Sequence, residues 1–241
     1  MLTIAIAEDN SAEREGLIQQ VKTLGYTLVL TAVDGYDLLL QLAKLPTNKL
    51  PNILLLDMNM PKINGLLVTT YCTYKYPSIK IIAVSSHTND ALITEVITEG
   101  ASAFITKYFL TPDTFIYTDN YGSTNNLQMA IKALQNEQLF IDKLLVNNPK
   151  SITRNVSTNA IVATKFQHLK PIHREFAILN ASGLSLSEVA ALMHISVNTI
   201  KDYNILLCKQ FAVKNHHQLA QACFAYGIVK QAVYYDHTMS N

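Results

Sequence analysis

Short apolar runs alternate with amphipathic stretches through the first 107 residues of the chain. Thr3–Ala7 is the first run, and it stops at Glu8, Asp9 and Asn10. Thr27–Val33, Ile53–Leu56, Ile79–Val84 and Ala103–Ile105 follow, each almost wholly apolar. Runs of that kind predict strands of a parallel sheet covered on both faces. Asn10 reads as a helix N-cap with Glu13 at the capping-box position, opening a helix to Leu24 that Gly25 ends. Tyr36–Leu45, Leu66–Tyr76 and Asp90–Thr98 carry helical periodicity between the later runs. Five strand–helix repeats predict an α/β doubly wound domain built on a five-stranded parallel sheet. In such sheets ligands bind beyond the carboxyl ends of the strands.

The repeat breaks over 108–126, where Pro112, Gly122 and several Asn and Thr residues accumulate, and helical spacing resumes over Leu127–Leu139. Val146 to Ser151 is polar and turn-rich, the start of an expected linker over 146–164. The division is therefore 1–145, an α/β domain; 146–164, the linker; and 165–241, an all-α domain. From Pro171 the pattern predicts a helix ending at Gly183, a second opened by the capping box Ser185 to Glu188 and running to Met193, and a third capped by Ser196 to about Gln210. A last helix is expected over Gln218–Tyr226, with His216 and His217 as a polar turn before it.

Charge sharpens this division. Residues 1–150 hold 11 Lys/Arg against 14 Asp/Glu, whereas 151–241 hold 8 against 4 with six of the seven histidines. An acidic half joined to a basic half implies different partners for each. Three scattered cysteines, Cys72, Cys208 and Cys223, predict reduced core thiols and no zinc site, which needs clustered ligands. No apolar run approaches the ~20 residues of a membrane span. The first run lacks a basic flank and is broken by Glu8, so a cytoplasmic protein with no membrane partner is expected.

Chemistry-bearing residues stand at four strand ends: Glu8 and Asp9 after the first strand, Asp57 after the third, Ser85 after the fourth and Lys107 after the fifth. Winding brings these ends to one crevice. Carboxylates gathered there suit a hard cation such as Mg²⁺. A lysine and a hydroxyl across from it suit phosphoryl oxygens, as phosphoryl transfer requires.

Asp57, Met58, Asn59, Met60, Pro61, Lys62, Ile63, Asn64 and Gly65 resemble the receiver-domain signature D-x-x-M-P-x-x-x-G. Ser85 lies 28 residues after Asp57 and Lys107 a further 22, in the order and spacing of that family. The resemblance covers roughly residues 1–140. It implies that Asp57 accepts a phosphoryl group from the phosphohistidine of a sensor histidine kinase. It further implies Mg²⁺ held by Asp9, Asp57 and the main-chain carbonyl of Asn59, with Glu8 acting through a metal-bound water. Lys107 and Ser85 would meet the phosphoryl oxygens, with Ser85 and Phe104 as switch residues. Tyr108 stands where receivers usually carry Pro, which implies a trans bond after Lys107. Asn59 departs from the second Asp of aspartyl-nucleophile phosphatases, so an enzyme is not expected.

Pro171–Leu219 resembles the LuxR/NarL-type helix-turn-helix, through Arg174-Glu175, Gly183 to Ser185, Glu188 to Ala190, Ile195-Ser196, Thr199 to Lys201 and Phe211 to Val213. That likeness implies Asn198, Thr199, Lys201, Tyr203, Lys209 and Lys214 as contacts to double-stranded DNA. Ile195, Ile200, Leu206 and Leu207 would face the core, and Asp202 and Ile205 the groove. A transcription regulator, homodimeric when phosphorylated, is the function implied. Asp202, Tyr203 and Ile205 depart from the family's usual surface and leave open an output that binds protein instead.

Overall fold

The computed structural model describes residues 2–86, 89–107, 117–119, 122–142, 169–225 and 227–229, the backbone alone at 117–119 and 122–124. Its first part runs β1 (Thr3–Ala7), α1 (Ser11–Thr23), β2 (Thr27–Ala32), α2 (Gly35–Lys44), β3 (Ile53–Asp57), α3 (Gly65–Lys75), β4 (Lys80–Ser85), α4 (Asp90–Thr98) and β5 (Ala103–Thr106). A short antiparallel pair follows, β6 (Tyr117–Asp119) with β7 (Gly122–Thr124), then α5 (Asn126–Gln135) and β8 (Phe140–Ile141).

Strand order in the main sheet is β2-β1-β3-β4-β5-β8, parallel at every pairing. The expected five-stranded sheet thus gains a sixth strand. Phe140 and Ile141 pair with Ala103 and Phe104. A two-residue edge strand is too short to show a period in sequence, and Phe140–Ile141 lies just beyond the helix expected over Leu127–Leu139. That helix stops at Gln135 because Glu137 takes a left-handed backbone, φ 56°, which turns the chain back toward the sheet.

The two faces of the sheet follow from the strict alternation of side chains along each strand. Ile4, Ile6, Ile53, Leu55, Ile82, Val84 and Ile105 pack against Leu17 and Val21 of α1 and against Leu127, Ile131 and Leu134 of α5. Ala5, Ala7, Leu54, Leu56, Ala83 and Phe104 face α2, α3 and α4. Nearly all are fully buried, each Ile, Leu, Val or Phe side chain contributing about 1.5–3 kcal/mol. Asn side chains cap four of these helices: Asn10, Asn64, Asn89 and Asn125. Glu13 does not complete the capping box. The Asn10 amide donates instead to Glu8 Oε1 at 3.2 Å, leaving the Glu13 carboxylate free to turn elsewhere.

The C-terminal part is helical: α6 (Pro171–Ala181), α7 (Leu186–Met193), α8 (Val197–Phe211) and α9 (His216–Ala225). Gly183, φ 81°, closes the turn after α6. Both halves of the Ser185–Glu188 capping box are formed. His194 in the left-handed region ends α7, and Ser196 caps α8 through the Thr199 amide. α7 and α8 are thus joined by a three-residue turn, the helix-turn-helix arrangement. His216 and His217 lie in the first turn of α9 and not in a preceding turn. Asn215 accepts from the Gln218 amide and starts the helix earlier than its apolar spacing indicates. No helix among the described residues is long and apolar enough to cross a membrane. The expected linker, 146–164, and Tyr108 lie outside the described residues.

Candidate functional site

The parallel order places the carboxyl ends of β1 and β3 side by side, with those of β4 and β5 beyond them. Glu8 directly follows β1, its amide donating to the carbonyl of Ala32. Arg14 Nη1 donates to the main-chain oxygens of Glu8 at 2.7 Å and Asp9 at 3.3 Å, tying the acidic turn to α1. Asp57 is the last residue of β3, opposite Val84. Ser85 is the last of β4, opposite Thr106, and is buried. Lys107 follows β5.

Lys107 is the hub of the crevice. Its Nζ lies 2.9 Å from Asp57 Oδ1, 2.8 Å from Glu8 Oε2 and 2.7 Å from Glu13 Oε2. Glu8 is fully buried and Asp57 nearly so. Burial pushes the Glu8 carboxyl up to about 7, the Asp57 charge adds to this, and Lys107 opposes both. Burial likewise raises Asp57, against the pull of Lys107 and the Asn59 main-chain amide. Burial disfavours the Lys107 ammonium, but hydrogen bonds to Glu13 and Glu8 and the charge of Asp57 outweigh it, holding the lysine well above its usual range.

The donors fit a hard divalent cation. One carboxylate oxygen each from Glu8, Asp9 and Asp57 lies within 4.8 Å of the others. Asp57 Oδ2 is buried with no hydrogen-bond partner among the described residues, and such a group calls for a ligand. An all-oxygen set open to water on the Asp9 side suits Mg²⁺, which retains part of its water shell. The Asn59 side chain points to solvent. Phe104 is wholly buried against the α2–α4 face of the sheet.

On α8, Asn198, Lys201, Asp202, Ile205 and Lys209 are all exposed. Their spacing sets them on one helical face. Thr199 turns partly toward the cap, its Oγ1 2.9 Å from Ser196 Oγ. Tyr203 leaves the row: its ring packs edge-on against His173 at 4.9 Å and Phe176 at 6.3 Å. Leu206, expected in the core, is 46% exposed, because it lies six positions after buried Ile200, which carries it round the helix. Ile200 and Leu207, seven apart, hold the buried stripe. Lys214 is exposed beyond the helix end.

Residues 4–116 match the response regulator receiver domain model. Over that stretch the chain resembles the receiver domains of response regulators. It is similar along nearly its whole length to the transcriptional regulatory protein DegU of Brevibacillus brevis, 24% identical over 243 residues and covering 95% of each chain. With LnrK of Bacillus subtilis it shares 25% identity over 231 residues, 95% of this chain and 99% of that one. Among solved structures, the RcsB response regulator of Salmonella typhimurium aligns over 93% of this chain and 98% of its own, at 22% identity and a TM-score of 0.47.

The stretch that resembles the receiver signature, the acidic pair and the distant lysine do converge. Glu13 was missed as a member of the crevice: with a capping role at hand, nothing in the sequence marks it as a partner of a lysine 94 positions away. Only the α1 register, which sets Glu13 over the crevice, makes the third contact to Lys107.

Proposed function

We propose that residues 1–145 form a phosphoacceptor domain and 165–241 a DNA-binding output, joined by the 146–164 linker, and that phosphorylation of Asp57 governs transcription. The observation that carries the reading is the buried Asp57 carboxylate, one oxygen held by Lys107 and the other lacking a hydrogen-bond partner among the described residues, in a crevice shared with Glu8 and Asp9. In the proposed step a carboxylate oxygen of Asp57 attacks the phosphorus of a phosphohistidine on a sensor histidine kinase. The P–N bond breaks and the imidazole leaves. Mg²⁺, when bound by Asp9, Asp57 and the Asn59 carbonyl with Glu8 behind a water, supplies charge neutralisation for the incoming phosphoryl group. Lys107 then faces a phosphoryl oxygen in place of part of its carboxylate cage. Ser85, one strand away, donates to another, and Phe104 repacks beside it. The acyl phosphate hydrolyses without turnover of an external substrate, so the protein is a regulator and not an enzyme. Its place is the cytoplasm.

The output partner is double-stranded DNA, bound as a phosphorylation-dependent homodimer. Asn198 and Lys201 would reach base edges. Lys209 and Lys214 would meet phosphates. Thr199 supports the reading helix through its cap. Relatives such as DegU and LnrK are transcriptional regulators by name, which supports this assignment. A second reading has its own observation. Ile205 is 66% exposed and Leu206 46%, an apolar pair beside Asp202 on the outer side of α8. Such a pair suits a protein partner.

Phosphoacceptance is tested by incubating the chain with acetyl phosphate and Mg²⁺ and following intact mass. The expected gain of one phosphoryl group disappears in Asp57→Asn. Retention of that gain in the variant would move the phosphoacceptor elsewhere.

A further inference from the structure

Glu175 is an unusual residue to find inside. It stands in the middle of α6, on the C-terminal helical part, yet only 5% of it is exposed. A carboxylate is rarely buried without partners, because desolvation costs more than a single contact returns. Both partners of Glu175 come from the receiver. Tyr71 Oη donates to Oε1 at 2.9 Å, and Lys75 Nζ to Oε2 at 2.9 Å. Tyr71 is itself 3% exposed, and a buried phenol needs an acceptor. Buried Glu175 and Tyr71 are therefore satisfied by each other and by Lys75 across the contact between the two parts.

Further contacts surround this centre. Tyr74 Oη donates to the Pro171 carbonyl at 2.9 Å, and the Arg174 guanidinium lies over the Tyr74 ring at 5.3 Å. His194, at the turn between α7 and α8, hydrogen-bonds with the Ala43 carbonyl at the end of α2 at 3.3 Å. The apolar core beneath α2 and α3 runs on without a break into Phe176, Ile178 and Leu179 of α6. The reading face of α8 takes no part: Asn198, Lys201, Asp202, Ile205 and Lys209 remain exposed with the two parts in contact.

We infer that the α2–α3 face of the receiver is the seat of the output domain, that the Tyr71–Glu175–Lys75 cluster is its latch, and that seating leaves the reading face of α8 open. The receiver then acts by fixing where the reading helix points and not by covering it. The seat also touches the phosphoacceptor. α3 begins at Gly65, where a Cβ would stand 2.3 Å from the Asp57 carbonyl, so the backbone of Asp57 and the first turn of the latch helix are in contact. This inference rests on the division into receiver and output domain. It does not depend on DNA being the output's partner.

Zero-length carbodiimide coupling of the full chain, read by mass spectrometry of its peptides, tests the latch. It joins an amine to a carboxylate only where they touch, so a Lys75–Glu175 link is expected. The Lys107–Glu13 link within the receiver serves as the positive control. Lys75 is 42% exposed, so replacing it leaves the fold intact. Lys75→Glu sets two carboxylates face to face and should abolish docking, with a rise in the radius of gyration by small-angle scattering. Adding Glu175→Lys to that variant should restore both the compact state and the cross-link. Formation of the control link without the Lys75–Glu175 link would overturn the latch, as would identical radii for all three proteins. Acetylation of Lys201 and Lys209 by a soluble ester reads the open face: equal rates in the wild type and in Lys75→Glu are expected. Slower labelling in the wild type would mean that seating covers the reading helix.

Discussion

Replacing Lys107 by Met removes the cation at the centre of the crevice while keeping most of its aliphatic volume. Three carboxylates then face one another: Glu8 and Asp57 buried, Glu13 at its rim with a side chain 40% exposed. Breaking a buried ion pair by deleting one partner costs about 3–5 kcal/mol, because the other charge is left without compensation. Lys107 keeps a tenth of its side chain in solvent and Glu13 rehydrates readily, so the lower end applies, about 3 kcal/mol at pH 8 without metal. A loss of that size lowers the melting temperature of a 150–250-residue protein by about 6–12 °C.

The pH dependence carries the sharper test. Glu8 has its ordinary value of 4.5 in the unfolded chain and about 7 when folded. The stability contributed by a raised acid is complete below its unfolded value and is lost as pH rises through the folded one. Without Lys107 the folded values of Glu8 and Asp57 climb further, so the penalty of the variant is small near pH 4.5 and grows steadily toward pH 8. Mg²⁺ should recover much of it at pH 8 by replacing one cation with another. Urea melts of both proteins at pH 5 and pH 8, with and without Mg²⁺, measure all of this. An equal loss at both pH values, or no loss in metal-free buffer at pH 8, would refute the charge balance drawn for the crevice.

Three further outcomes follow from the same geometry. Gly65→Ala drives a Cβ to 2.3 Å from the Asp57 carbonyl and 2.7 Å from Met58 Cα; overpacking against backbone costs about 1–3 kcal/mol or more, read as a lower urea midpoint, and an unchanged midpoint would show that this loop yields freely. Burial pushes the thiols of Cys72 and Cys223 up to about 12, so at pH 8 only about one thiol in 10⁴ is ionised, and iodoacetamide should spare both in the folded chain while labelling them in urea. The Glu8 carboxyl has to ionise to serve a cation, so Mg²⁺ affinity should rise between pH 6 and 8 with release of protons, and that dependence should flatten in Glu8→Gln, as calorimetry in two buffers can check.

What the sequence makes legible is local and periodic. Asp90–Thr98 reads as a helix with the same ends that it has in the fold, and Ser185 with Glu188 marks the start of α7 through a two-way hydrogen bond that spans only three residues. The crevice is legible because the parallel winding sends every strand end to one edge, so Glu8, Asp57, Ser85 and Lys107 could be gathered without coordinates. The missing parts are contacts that no periodicity encodes. Phe140–Ile141 becomes a strand only because β5 offers a free edge. Glu13 swaps an expected cap for Lys107, and Glu175 finds Tyr71 about a hundred residues away. Leu206 and Tyr203 exchange places relative to expectation, since a few tens of degrees around α8 decide which side chain meets His173 and which meets solvent.

Phosphoryl transfer to Asp57 is proposed to control what the outer face of α8 binds. The measurement closest to it is selection of genomic DNA fragments by the full-length chain, with and without Mg²⁺ and beryllofluoride as a stand-in for the phosphoryl group, at two salt concentrations. Enrichment of a discrete motif that strengthens with beryllofluoride, weakens at higher salt and is lost in Lys201→Ala is expected. No enrichment in either state would contradict it and shift the output to a protein partner at Ile205 and Leu206.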